Sequence, residues 1–225
     1  MSASERSTDL PGFEFVIAVA SLGGLPVLTS LVRGLPGTFP VPVLIVSHRP
    51  HRDLDPLPWL LQRQTSLPVR TATHGLADWG SGITVIPGGT AATLDGSRRL
   101  SLERVTSPRY QCGDALLASA AGAVQPDAVI AVVMSGMLRD GAEGIRPVKR
   151  HGGRVLAQDP ATARAASMPN NAIATGCVDF VLPPERLATA LVALAMAPGG
   201  ASLLSVPAPH WASLDTSRPP VTVTG

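Results

Sequence analysis

Residues 14–24 read Glu-Phe-Val-Ile-Ala-Val-Ala-Ser-Leu-Gly-Gly, and this stretch decides the fold. From Phe15 to Ala20 the residues are apolar without alternation, which suits a strand covered on both faces. The run stops at Ser21, and two glycines lead into residues 25–33, where apolar side chains recur at helical spacing. The same unit returns along the chain. Residues 41–47 (VPVLIVS), 128–135 (AVIAVVMS) and 154–158 (RVLAQ) predict buried strands, and 180–182 a short last one. Helices are predicted over 54–65, 114–123, 141–151 and 184–197. Pro183 and Pro184 open the last of these, and Gly199 lies beyond its end. One interruption is antiparallel: residues 90–94 and 100–105 flank Asp95-Gly96, a hairpin turn signal. Strand–helix alternation with right-handed crossovers gives a three-layer, doubly wound α/β fold. Its sheet is mostly parallel and carries a β-hairpin insertion.

Bulk properties agree with one globular unit. The 225 residues are 45% hydrophobic and 15% charged, enough for one full core. Residues 1–12 read as a flexible leader, 13–197 as the one folded domain, and 198–225, rich in Pro, Ser and Gly, as a disordered tail. Eighteen basic against sixteen acidic residues leave +2, and the basic runs are only pairs, so no nucleic-acid footprint is visible. Cys112 and Cys177 fit neither a disulfide framework nor a metal site and read as buried or half-buried thiols. The charged N-terminus lacks a signal peptide's apolar centre, and no apolar run nears the ~20 residues that span a bilayer. A cytoplasmic protein without stable membrane insertion is expected.

In such sheets ligands bind beyond the carboxyl ends of the strands, so those ends are where function is sought. The first strand ends at Ser21-Leu22-Gly23-Gly24, the second at Ser47-His48-Arg49-Pro50, and the strand from residue 128 at Ser135-Gly136-Met137-Leu138-Arg139-Asp140. A hydroxyl, an imidazole and a carboxylate thus come from three separate edges. They are the parts of an activated nucleophile: Ser21 attacks, His48 takes its proton, and Asp140 orients the imidazole. Gly23 and Gly24 leave room for a substrate and offer helix N-terminal amides to an oxyanion. Each residue also has an ordinary reading. Ser21 is an N-cap in that reading, His48 a loop histidine satisfied by backbone, and Asp140 the cap of a helix beginning at Gly141. The nucleophile-elbow pattern Gly-x-Ser-x-Gly is half met, with Val19 in place of its first glycine, and the order Ser, His, Asp departs from the three familiar orders of this triad.

At these same residues the sequence resembles the catalytic domain of the CheB family, the chemotaxis protein-glutamate methylesterases, over about 15–197. The likeness is carried by Ala-Ser-Leu-Gly-Gly at 20–24, Ser-His-Arg-Pro at 47–50 and Ile-Pro-Gly-Gly at 86–89. It continues in VVMSGMLRDGAEGIRPVKRHGGRVLAQDPATA at 132–163 and MPNNAIATGCVDFVLP at 168–183. The resemblance implies that Ser21, His48 and Asp140 are the family's triad and that Met137 supplies an oxyanion-hole N–H. It further implies that Met168 and Pro169 lie in a loop near the site. The implied reaction hydrolyses glutamate γ-methyl esters on chemoreceptor-type proteins, with glutamine deamidation in some members, and uses no metal or organic cofactor.

The chain also departs from the family. Val19 and Leu22 stand where smaller residues are usual, which threatens a left-handed turn and crowds the nucleophile. Residues 110–114, Tyr-Gln-Cys-Gly-Asp, replace the usual Arg-Pro-Ser run before aspartate, leaving Arg109 either a displaced substrate-binding guanidinium or a surface charge. The receiver domain that usually precedes this module is missing from the sequence, so control is expected from a separate regulatory partner, from expression, or not at all. Beside the methylesterase stand two alternatives: an esterase for another acyl substrate, and a non-catalytic signalling module that keeps the fold.

Overall fold

The structure, a computed structural model, describes residues 12–105, 111–197, 199–200, 204 and 206. Seven parallel strands form the main sheet, in the order β3-β4-β2-β1-β7-β8-β9. They are β1 (Phe15–Ala20), β2 (Val43–Ser47), β3 (Val69–Thr71), β4 (Ile83–Val85), β7 (Val129–Val133), β8 (Arg154–Gln158) and β9 (Phe180–Leu182). β5 (Thr90–Leu94) and β6 (Leu100–Arg104) pair antiparallel as the predicted hairpin. Its loop is held by Asp95 Oδ1, which accepts from the N–H groups of Ser97 and Arg99, and the left-handed residue is Arg98 rather than Gly96.

Alternate side chains of the central strands supply two separate cores. Val16, Ala18, Val43, Ile45, Ile130 and Val132 pack under α1 (Gly24–Gly34), α2 (Pro56–Gln62) and α6 (Pro184–Met196). Ile17, Val19, Leu44, Val46, Ala131 and Val133 pack under α3 (Cys112–Ala123), α4 (Ile145–Arg150) and α5 (Ser167–Ala174), together with the hairpin. Burial on both faces explains why these strands read as unbroken apolar runs. The two faces make three layers, as the sequence predicts.

Three elements are absent from the sequence reading: β3, β4 and α5. Two expected helices are also shorter, α2 spanning Pro56–Gln62 and α4 Ile145–Arg150. Cys112 and Cys177 are free and buried. Among the described residues no helix is long and apolar enough to cross a membrane. Residues 1–11, Arg109 and most of the C-terminal stretch, with the leader, guanidinium and tail expectations placed on them, lie outside the described residues. The order of strand addition reverses beside β1: β2, β3 and β4 lie on one side of it, and β7, β8 and β9 on the other. The crevice of this sheet therefore opens at the carboxyl ends of β1 and β7.

Candidate active site

β1 delivers Ser21 to this crevice. Ser21 N–H donates to Ser135 O at 2.9 Å, and the Ser21 carbonyl accepts from Gly24 N–H at 2.9 Å. The turn that follows needs a left-handed residue, which is Gly23 at φ 78°. A β-carbon there would also lie 2.5 Å from Arg164 Cβ and 2.8 Å from Ser135 Oγ, so glycine is needed twice over. The helix cap is Gly23, without a side-chain bond, and among the described residues the Ser21 hydroxyl has no hydrogen-bond partner. Ser21 is therefore not an N-cap serine. Val19 lies inside β1, fully buried, and makes no left-handed turn, while Leu22 is exposed. Neither departure disturbs the turn, because the positive φ falls on Gly23.

His48 follows β2, whose register pairs Ala20 with Ser47, so residues 21 and 48 leave adjacent strand ends. The His48 N–H donates to Ala20 O at 3.0 Å. Its side chain meets Asp140: Nε2 lies 2.6 Å from Oδ2. A carboxylate only accepts, so Nε2 carries the hydrogen in this bond and the tautomer is set by Asp140. Asp140, buried, also accepts from Gly113 N at 2.8 Å and Asp114 N at 2.9 Å. Its carboxylate thus seals the N-terminus of α3, where the helix dipole favours negative charge. The expectation that Asp140 caps the helix after Gly141 is corrected. Asp114 takes that role instead, Oδ1 accepting from Gly144 N–H at 2.6 Å ahead of α4.

Asp114 is a functional neighbour that the sequence reading missed. It is buried, and its Oδ2 has no hydrogen-bond partner. Burial pushes its carboxyl up to about 6, Gly144 N–H counters this, and the Asp140 charge adds to it. Nearby Cys112 is raised to about 11, first by burial and then by Asp140, so it stays a thiol. Ser135 is the other omission. Its Oγ donates to Leu22 O at 2.8 Å and accepts from Ala165 N–H at 3.1 Å, joining the nucleophile loop to the segment before α5. A polar residue closing a wholly apolar strand was its one visible signal.

The remaining predicted residues divide. The N–H groups of Leu22, Gly23 and Met137 make no hydrogen bond among the described residues and are open to an oxyanion. Gly24 is not such a donor, because its N–H is bound to Ser21 O. Met168 and Pro169 lie in the first turn of α5, not in a loop, and both are buried. Met168 packs its sulfur against Gly136, where a β-carbon would collide with it and would stand 2.8 Å from Ser21 Cβ. Its part is to hold the β7 loop close to Ser21. The Leu138 backbone is left-handed at φ 65°, a conformation that costs an ordinary residue ~1–2 kcal/mol. Ser167 Oγ and Asn171 Nδ2 hold it there, donating to its carbonyl at 2.8 and 2.9 Å.

A hydroxyl at a glycine turn, an imidazole on the adjoining strand and a carboxylate bonded to that imidazole are what an acyl-transfer enzyme needs. The sequence matches the family model described as CheB methylesterase over residues 16–191. The chain belongs to the CheB methylesterase family. Among its relatives, a protein-glutamate methylesterase/protein-glutamine glutaminase of Moorella thermoacetica is 33% identical over 203 residues, covering 84% of this chain and 46% of the relative. The protein-glutamate methylesterase FrzG of Myxococcus xanthus is 31% identical over 193 residues, covering 84% and 57%. The chain thus spans about half the length of the curated relatives it matches. The crystal structure of the Thermotoga maritima CheB methylesterase catalytic domain superposes with a TM-score of 0.73 at 28% identity, covering 80% of this chain and 97% of that one. The CheB methylesterase likeness therefore extends over the strands and loops that bear Ser21, His48 and Asp140.

Proposed function

We propose that this chain is a serine esterase that hydrolyses γ-methyl esters of glutamyl residues in chemoreceptor-type proteins. Ser21 is the nucleophile, His48 the general base and acid, and Asp140 the group that orients the imidazole. In the first step the His48 imidazole takes the Ser21 proton as Oγ attacks the ester carbonyl. The oxyanion is met by the N–H groups of Met137, Leu22 and Gly23. Collapse of the tetrahedral intermediate breaks the bond to the methoxy oxygen, which takes the imidazolium's proton and leaves as methanol. Water, deprotonated by the same imidazole, then cleaves the acyl-enzyme and frees the carboxylate. A glutamine side chain traverses the same path with ammonia as leaving group, the second activity in the relatives' names.

The observation that carries this reading is the 2.6 Å bond between His48 Nε2 and Asp140 Oδ2, at a strand end adjoining the one that bears Ser21, whose hydroxyl has no hydrogen-bond partner among the described residues. Family membership supports the substrate class. Free cysteines accord with a cytoplasmic setting, and a separate regulatory partner fits a cleft whose rim is exposed. Two measurements test the proposal. A fluorophosphonate should label the wild type and not Ser21→Ala, and methylated receptor fragments should release methanol only with the wild type. Folded wild-type protein that neither labels nor releases methanol would refute the enzyme; labelling without methanol release would move the substrate elsewhere.

A further inference from the structure

The hydrophobic side chains left exposed are not scattered. Leu22 (51% exposed), Leu25 (44%), Met137 (53%) and Leu138 (68%) stand on or just after the two loops that carry Ser21 and Asp140. They are half of the eight large hydrophobic side chains exposed among the described residues. A single exposed leucine needs no explanation, but a group of them around a candidate nucleophile marks a surface that is covered in use. Leu138 is the most telling. Its left-handed backbone is fixed by Ser167 and Asn171, yet glycine would take that turn without strain. What the position gains from leucine is the side chain, which points to solvent.

Two cations border this apolar rim. Arg139 follows Leu138 directly, and the stem of Arg164 lies against Gly23. Both are exposed, and among the described residues neither guanidinium makes a hydrogen bond or ion pair. Arg49 and Arg98 are engaged, with Asp55 and Glu14, whereas Arg52, Arg150 and Arg186 are exposed elsewhere on the surface; Arg139 and Arg164 differ from these in standing beside the apolar rim. The base of Arg164 is fixed, since Ala165 N–H donates to the same Ser135 hydroxyl that donates to Leu22 O. An arginine anchored at its stem and unengaged at its head is suited to bind a carboxylate from outside.

We infer that these residues dock an acidic protein segment that carries apolar side chains next to its ester. Leu138, with Leu22, Leu25 and Met137, covers the apolar side chains, while Arg164 and Arg139 pair with flanking carboxylates. Ser21 lies inside this rim, so whatever docks there meets the nucleophile, which favours a substrate over a separate regulator. The inference rests on the esterase reading of Ser21 and adds the chemistry of the residues around the ester.

The test uses two peptides with a central glutamyl methyl ester, one flanked by Glu and Leu, the other by Lys and Ser, and p-nitrophenyl acetate as a small neutral ester. Wild type should prefer the first peptide. Arg164→Glu should lower kcat/KM for it tenfold or more, through KM, and invert the preference. Leu138→Gly should lower it about tenfold relative to p-nitrophenyl acetate while the thermal midpoint holds or rises. Arg150→Glu, at the far end of α4, controls for net charge and should leave the preference intact. A preference for the acidic peptide that survives both rim substitutions overturns the inference, as does its equal loss in Arg150→Glu. Should wild type hydrolyse none of the three esters, the esterase reading fails separately. The surface is then read from anisotropy of the fluorescein-labelled acidic peptide on Ser21→Ala protein. A tenfold weaker affinity with Arg164→Glu supports docking, and an unchanged affinity overturns it.

Discussion

Replacing Asp114 by asparagine should stabilise the protein at neutral pH and leave it almost unchanged in acid. Asp114 Oδ1 accepts from Gly144 N–H, while Oδ2 is buried without a partner. Burial, with a smaller push from the Asp140 charge, moves this carboxyl from 3.8 to about 6 against the pull of Gly144 N–H. Since 1.36 kcal/mol corresponds to one pH unit, the displacement is worth ~3 kcal/mol. The native state holds the proton more tightly than the unfolded chain does. The contribution of this group is therefore complete below pH 3.8 and is lost as pH rises through about 6. Above that the fold carries a buried carboxylate. Asparagine keeps the acceptor for Gly144 and places an NH2 where the protonated acid has its O–H, so it mimics the protonated form at every pH. The difference in unfolding free energy between Asp114→Asn and wild type should rise from near zero at pH 4 to ~3 kcal/mol at pH 8. Urea titrations across this range, with unchanged m values, measure it directly. A flat difference curve, or one that falls with pH, would refute the assignment of Asp114 as a buried carboxyl that keeps its proton up to about pH 6.

Further predictions concern the same site and its supports. Asp140→Asn should lower kcat by ~10³–10⁴ by mis-setting the imidazole tautomer. It should also cost ~1–3 kcal/mol in chemical denaturation, because one amide cannot accept from both Gly113 and Asp114 while meeting His48. Gly136→Ala, whose new methyl would meet Ser21 Cβ and Met168, should reduce fluorophosphonate labelling at least tenfold, and a second change, Met168→Ala, should recover part of the rate at the expense of stability. Lys149 and Asp179 form a buried ion pair, with Asp179 Oδ2 also accepting from Val155 N at 2.8 Å. Asp179→Ala should destabilise by ~3–5 kcal/mol by stranding the ammonium, and adding Lys149→Met should restore much of the loss in thermal unfolding.

How much of this was legible in the sequence depended on whether a residue's role was local. β1, β2, β7 and β8 were readable because burial on both faces leaves three to six apolar residues in a row. β3 and β4 were not, each being three residues long, and β3 is only partly buried. α5 is hidden by Pro169 and the Asn170-Asn171 pair, and its start is fixed from outside, by Met168 N–H donating to Gly136 O. At the site, Ser21, His48 and Asp140 were visible as polar residues in the segments that follow apolar strands. Asp140's service to α3 was not, since Gly113 and Asp114 lie more than twenty residues before it. Likewise Val19 raised a concern about the turn because its place within the strand, four residues before the left-handed Gly23, is set by pairing with Val46 and Val133.

The chain order Ser, His, Asp follows from the strand order. β2 and β7 are not neighbours; β1 lies between them. Strands stand ~4.8 Å apart, so the residues leaving β2 and β7 begin ~10 Å from one another. His48 and Asp140 nevertheless meet at 2.6 Å. The imidazole and the carboxylate must each reach inward, and the gap they close lies over the carboxyl end of β1, where Ser21 emerges. On the proposed reading the nucleophile is on the first, central strand, its base follows the strand added to one side and the orienting acid follows the strand added to the other, so strand order brings the three residues to one edge of the sheet. Chain order is a by-product of which strand was laid down first. Chymotrypsin-like and subtilisin-like orders differ from this one because their scaffolds deliver the same groups along other paths, and geometry rather than order defines the set.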